Sequence, residues 1–228
     1  MTAYNGSDNL KIMAEAKNYN RFLIKQIIKY HLNDNVMLDF GAGLGSFSLP
    51  LIKMGVRILC IEPDPKLSEK LIKHGLKVFS CIDNITDEFI DYVFMLNVLE
   101  HIKDDVGILK NLYNRIESNG TLFLYVPAFN ILFSSMDRKV GHLRRYTKSS
   151  LIPLVQEAGF IVQKAVYVDS IGFGISLLYK FFGTPKGDLN PSEIKFYDSV
   201  IFPVSRFFDR LFLQNFLGKN LLVIAHRR

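Results

Sequence analysis

The sequence predicts a single α/β domain of the doubly wound kind, on three observations. Short apolar segments alternate with segments of helical period along most of the 228 residues. The first five of the short segments are apolar throughout rather than at every second position, which suits a parallel sheet covered on both faces by helices. The first of them runs directly into a glycine-rich turn, "DFGAGLG", Asp39 to Gly45.

The elements follow in order. Residues 8–31 read as one helix with Tyr19, Phe22, Leu23, Ile27 and Tyr30 on one face, and Asn33, Asp34 and Asn35 break it. Val36 to Phe40 is the first strand. Phe47 to Met54 is a short helix that tolerates Pro50 early and stops at Gly55. Arg57 to Ile61 is the second strand, Pro65 to Gly75 a helix with a glycine stop, Lys77 to Ser80 the third strand and Tyr92 to Leu96 the fourth. Asp104 or Asp105 caps a helix with Val106, Leu109, Leu112, Tyr113 and Ile116 on its apolar face, ending before Gly120. Thr121 to Val126 is the fifth strand, Thr147 to Ala158 a helix ended by Gly159, and Phe160 to Val168 and Leu221 to Ala225 are the last two strands. Residues 169–219 form a helical addition. It contains a Phe-rich helix with Val204, Phe207, Phe208, Leu211 and Phe212 on one side and Arg206, Asp209 and Arg210 on the other. One domain thus carries a helical cap at 1–35, a core at 36–168 and the addition at 169–219.

Composition bounds the class. With 49% hydrophobic and 22% charged residues and no repeat, the chain is globular and long enough for one full core. Residues 1–13 are polar, without the apolar centre of a signal peptide, and the apolar run at 170–179 is too short to span a bilayer. Cys60 and Cys81 are far apart, which argues against a disulfide scaffold or a zinc site; both read as buried small residues in a cytoplasmic protein. Residues 1–136 hold 14 basic and 15 acidic side chains, and residues 137–228 hold 14 and 7, so the net charge of +6 belongs to the second part. That charge serves solubility or meets something anionic. No base-stacking module or dense basic stripe accompanies it, so nucleic acid is not an expected partner.

The glycine turn lies where parallel sheets bind ligands, beyond the carboxyl end of a strand. Glu62, in "CIEPD" at the end of the second strand, is an acid about twenty residues on, placed to accept ribose hydroxyls. The dinucleotide fingerprint G-x-G-x-x-G is not met, since residue 46 is Ser, and Asp39 would repel a pyrophosphate at close range. A cofactor carrying an ammonium and a sulfonium suits that acid better.

"LDFGAGLG", "CIEPD", "NVLEHI" after the fourth strand and "GTLFLYVP", in this order over about residues 18–168, resemble the class I S-adenosylmethionine-dependent methyltransferases. The resemblance implies a mostly parallel, Rossmann-like seven-stranded sheet with an antiparallel last strand, for which "NLLVIAH" is in the right place. It implies S-adenosyl-L-methionine as cofactor. By the same resemblance Asp39, Gly41, Ala42 and Gly43 hold the methionine part, Glu62 and the adjoining Pro63 the ribose, Asp83 the adenine amino group, and Asn97 and Val98 line the methionine side. Tyr19 folds over the cofactor or packs in the core.

Methyl transfer needs alignment and often only a base. Glu100 and His101 of "NVLEHI" organise a helix start. Some members of the family hold a divalent metal with an acid three positions before such a pair, but here Asn97 stands there, so no metal is expected. The polar stretch "SSMDRKVGHLRRYTKSS" offers His142 as the base, or as a brace for its loop. Asp137, Arg144, Arg145 and Tyr146 are substrate-binding candidates, the two arginines as a clamp for phosphate or carboxylate, unless one pairs with Asp137. The addition at 169–219 is core, a lid over a greasy acceptor, or a face for a membrane surface. The expected reaction is O-methylation of a small or a lipid- or glycan-linked anionic acceptor. A sensor that binds the cofactor without turnover, or an NAD-dependent oxidoreductase, are the alternatives.

Overall fold

The five apolar segments pair side by side because each must bury both faces. The computed structural model describes residues 7–31, 36–86, 89–182 and 190–228. Strands β1 (Val36–Phe40), β2 (Ile58–Ile61), β3 (Lys77–Phe79), β4 (Ile90–Leu96), β5 (Ile116–Pro127), β6 (Ile161–Val168) and β7 (Asn220–His226) form one sheet in the order β3-β2-β1-β4-β5-β7-β6. The pairs among β1 to β5 are parallel, and β7 runs antiparallel to β5 and β6. The expected fold class is borne out. Two cores explain the unbroken apolar pattern: Leu38, Leu59, Val93 and Leu122 pack on one face, Met37, Cys60, Phe94 and Phe123 on the other. Strand order reverses between β1 and β4, so the crevice beyond their carboxyl ends is where a ligand belongs.

Local chemistry sets most helix ends. Helix α4 (Pro65–Lys73) starts on Asp64, whose carboxylate accepts from the amides of Lys66 and Leu67. Helix α5 (Asp105–Arg115) starts on Asp104, and α7 (Lys148–Glu157) on a Thr147–Ser150 capping box.

Several expectations need correction. The helix expected over 8–31 is two, α1 (Ser7–Ala14) and α2 (Lys17–Tyr30), while the Asn-Asp-Asn break at 33–35 lies outside the described residues. Strand β5 begins at Ile116, which was expected to close the preceding helix. The register then jumps from Ile116 to Thr121, with Asn119 in the left-handed region at φ 65°. The stretch after β5, read as a polar loop, contains helix α6 (Ser135–Val140), ended by Gly141 at φ 85°. Cys81 is exposed rather than buried; Cys60 is buried as expected.

The addition is helical as expected and folds as α8 (Ser170–Phe182), α9 (Pro191–Phe196), a π-helical turn (Tyr197–Ile201) and α10 (Phe202–Leu211). Helix α10 is inside out. Phe207 and Phe212 beyond its end are 60% and 56% exposed, whereas Asp209 and Ser205 are 0% exposed. The cause is the start of α8. Its first amides need acceptors, and α10 supplies them: Asp209 accepts from the Asp169 and Ser170 amides at 2.8 and 3.0 Å, and Ser205 Oγ from the Ile171 amide at 3.0 Å.

Candidate active site

A cavity of about 1630 Å³ opens beyond the carboxyl ends of β1, β2 and β4. This exceeds the roughly 300–1,000 Å³ of a single-ligand pocket and leaves space for two molecules side by side. Its inner edge is the glycine turn. Gly41 and Gly43 stand at φ 87° and 56°, a region open to glycine at no steric cost. A Cβ on Gly41 would come within 2.5 Å of Val98 Cγ2, so the turn must be bare there to lie against the end of β4. The Gly41 and Ala42 amides both donate to the Ile61 carbonyl, at 2.8 and 3.0 Å, which ties the turn to β2.

Glu62 lies where the motif spacing puts it, lining the cavity. Its Oε2 accepts from the Gly43 amide at 2.7 Å and its Oε1 from the Asp64 amide at 2.9 Å. Burial raises its pKa, and these two bonds pull the other way. The carboxylate thus shapes the glycine turn while keeping lone pairs for a ribose. Pro63, Asp83, Asn97 and Val98 line the same wall. Asn97 is left-handed at φ 53°. Asp83 is exposed and already near Asn111 and Arg115, at 3.4 and 3.5 Å. Tyr19 does both things expected of it: it lines the cavity, and its ring packs edge-on against Tyr125 and Phe202.

Asp39 is placed differently from expectation. It is buried beneath the turn, is not part of the cavity wall, and accepts from Ser48 Oγ at 2.5 Å. Burial pushes its pKa up to about 7, against the Ser48 bond and helped by the nearby Glu62 charge. It braces the turn from behind.

The second cluster is built around Asp137, at 0% exposure the most densely bonded acid of the protein's described residues. Its carboxylate accepts from the Ser134 amide (2.8 Å) and hydroxyl (3.1 Å), from Arg145 Nε and Nη2 (2.9 and 3.0 Å) and from His142 Nδ1 (2.7 Å). Burial alone would raise its pKa, but the bonds from His142 and Arg145 outweigh burial and hold it well below the usual carboxylate range. Asp137 and Arg145 are therefore spent on each other, and Asp137 is not a substrate ligand. Arg145 also donates to the Ala128 carbonyl. Arg144 is paired with Asp105 at 2.7 Å and lies off the cavity, and Tyr146 is buried with its hydroxyl on the same Asp105, at 2.9 Å. The two arginines form no clamp: Arg145 lines the cavity but takes the alternative pairing with Asp137, and Asp105 at the head of α5 holds Arg144.

His142 does face the cavity. Asp137 fixes its Nδ1, and its Nε2 lies 3.6 Å from Glu100 Oε1. Glu100 is fully buried, neither of its oxygens meets a donor from another residue, and burial pushes its pKa up to about 8. His101 stacks edge-on against His142 with centroids 4.7 Å apart, and burial followed by the His142 charge presses its pKa down to about 4. Glu100, His101 and His142 each place a donor atom within 4.8 Å of the others, a set that suits a divalent ion. The motif "NVLEHI" announced two of the three; only the docking of the 141–145 segment, with the Leu143 amide on the Glu100 carbonyl at 2.9 Å, brings in the third.

Sequence reasoning missed the opposite wall. Asp169, Tyr197, Lys219 and Asn220 line the cavity from the addition and the start of β7. Among the described residues Lys219 Nζ has neither hydrogen bond nor ion pair; it lies 5.3 Å from the centre of the Tyr197 ring, and burial lowers its pKa. No motif marks these positions. They meet only when α8 to α10 fold back over the crevice.

Known proteins agree with this geometry. The model of a methyltransferase-domain family matches residues 13–165. A ubiquinone biosynthesis O-methyltransferase of Methylocella silvestris is 29% identical over 96 residues, 38% of this chain and 38% of that protein, so the chain matches well under half the length of that relative. Among solved structures, an S-adenosylmethionine-dependent methyltransferase of Thermotoga maritima superposes with a TM-score of 0.62 at 19% identity, over 92% of this chain and 91% of that one. One from Archaeoglobus fulgidus gives 0.60 at 15% identity, over 91% and 94%. The Haemonchus contortus phosphoethanolamine N-methyltransferase 2, solved with S-adenosyl-L-methionine, gives 0.58 at 15% identity, over 92% and 52%. At these identities the structures speak for the fold, and the family match carries the assignment. With the glycine turn, the Glu62 contact and the sheet order in place, the chain belongs to the methyltransferase-domain family of class I S-adenosylmethionine-dependent enzymes.

Proposed function

We propose that the protein transfers a methyl group from S-adenosylmethionine to a hydroxyl oxygen of an acceptor that also carries a negative charge. The observation that carries this reading is His142 on the cavity wall, held from behind by the buried Asp137. When bound, S-adenosylmethionine supplies a methyl carbon already activated by its sulfonium, so the chain's own task is alignment and proton removal. The bare backbone at Gly41 and Gly43 and the carboxylate of Glu62 are the groups to seat it.

Asp137 holds the Nδ1 proton of His142 and leaves Nε2 to take the proton of the acceptor hydroxyl as that oxygen becomes the nucleophile. Asp137 then steadies the imidazolium until the proton is released to solvent. Lys219, whose Nζ forms no direct ion pair among the described residues although Asp169 lies near enough to act on it, supports an anionic acceptor group. Replacing His142 by Ala should lower kcat by about 10²–10⁴-fold and leave the calorimetric affinity for S-adenosylhomocysteine unchanged. Unchanged turnover in the variant would remove His142 as base. Tight cofactor binding with no turnover of any hydroxylated acceptor by the wild type would favour a sensor.

A second reading rests on the orphaned Glu100 oxygens. A divalent ion held by Glu100, His101 and His142 would lower the pKa of the acceptor hydroxyl in place of the imidazole base. Calorimetric titration with manganese or magnesium, together with loss of turnover in chelator, separates the two.

A further inference from the structure

The inside-out helix leaves a surface that a water-facing enzyme has no use for. Among the described residues, more than half of the large apolar side chains left in solvent lie between 175 and 216. The most exposed are Leu178, Phe181, Phe196, Phe207, Leu211 and Phe216, at 57–71% exposure, with Phe208 and Phe212 beside them. They come from α8, from α9 and from α10 and the turn after it, elements that pack on one another. Large apolar side chains exposed together on helices that pack on one another mark an interaction site.

We propose that this face docks the protein on the surface of an anionic lipid bilayer. Charge selects that occupant. The acids of α10 and of the π-helical turn, Asp209 and Asp198, are buried as backbone caps, so within the described part of the addition Glu193 is the single exposed acid. Lys180, Lys195 and Arg210 are exposed around the apolar side chains. Aromatic and aliphatic side chains on one face with a basic margin are the composition of a helix that lies in the lipid interface. No helix among the described residues is long and apolar enough to cross a membrane, so the contact is with the surface. Position supports it as well. Phe196 and Ile175 belong both to the exposed face and to the cavity wall, so the mouth of the cavity opens at the edge of the docking face. Resting on the reaction proposed above, this gives a lipid-soluble acceptor a path into the cavity that avoids water.

The test is co-sedimentation with phosphatidylcholine vesicles containing about one third phosphatidylglycerol, against phosphatidylcholine alone. Wild-type protein should pellet with the anionic vesicles and much less with the neutral ones. The double variant Phe207→Ser/Phe212→Ser should lose about tenfold or more in vesicle partitioning, while Ile72→Ser, an equally exposed apolar change on α4, should leave it intact. Calorimetry with S-adenosylhomocysteine on each variant reports that the fold survives and does not depend on docking. Failure of the wild type to bind either vesicle overturns the proposal. So does a concentration-dependent dimer, split by the double variant, in a protein that ignores lipid, since the face would then cover a second copy. Neither result bears on His142, whose role is read in the soluble assay.

Discussion

The two sides of the cavity are built on opposite principles. On the cofactor side, each feature follows from its own few residues: an apolar strand, a turn that needs glycine at Gly41 and Gly43, an acid at the end of the next strand. On the acceptor side, the Asp137 cluster is local, but several other charged groups are defined by a partner far along the chain. Arg144 meets Asp105, His142 meets Glu100, and Asp209 meets the start of α8. The difference teaches where local pattern is sufficient and where long-range pairing overrides it.

The strongest way to break the acceptor side is Asp137→Ala. It leaves Arg145 buried without its counter-charge and should cost about 3–5 kcal/mol of stability in urea unfolding. Combining it with Arg145→Met should restore part of the loss. If Asp137→Ala melts like the wild type, the pair is not the keystone that its five bonds indicate.

A smaller effect sharpens the cofactor side. Asp39 binds its proton more tightly in the folded chain, with a pKa of about 7 against an ordinary 3.8, because it is buried. The folded state therefore holds more protons than the unfolded one between these values, and Asp39's contribution makes stability fall as pH rises through them. The fall is at most about 4 kcal/mol. Asp39→Asn should flatten it, read by urea unfolding at about pH 5 and about pH 8; parallel curves for the two proteins would place the Asp39 charge elsewhere than in this buried site.

The smallest of the three is Glu62→Ala. Removing the acceptor of the Gly43 and Asp64 amides should weaken S-adenosylhomocysteine binding by about 1–3 kcal/mol. Undiminished affinity would detach Glu62 from the cofactor.

The same contrast explains what could be read in advance. All seven strands were legible: the central ones because two-sided burial writes itself as unbroken apolar runs, the edge strands β3 and β6 as short β-branched and aromatic segments between helices. The glycine turn and Glu62 were legible because their spacing is a backbone requirement. Helix α6 was not, since its start is fixed by Ser134 and Asp137, residues that read equally well as loop. Helix α10 was read with its period right, but which of its faces is buried was left open. A helical pattern tells which side chains share a face, but which face is buried depends on the free amides of α8, some forty residues earlier in the chain. The arginine clamp failed in two ways: Arg145 took the Asp137 pairing that the local sequence offers, while Arg144 is held by Asp105, thirty-nine residues earlier, which nothing near it signals.

One bond pattern has a mechanical consequence. Asp198 in the π-helical turn accepts from the amides of Asn18 and Tyr19 at 2.9 and 2.8 Å, closing the first turn of α2 from across the crevice. The roof over the acceptor and the strap over the cofactor are thereby riveted at a single carboxylate. Neither can swing aside alone without stranding two backbone donors, a toll of about 1–3 kcal/mol for each. Ligand exchange in this protein thus favours passage through the open mouth of the cavity over lifting either wall.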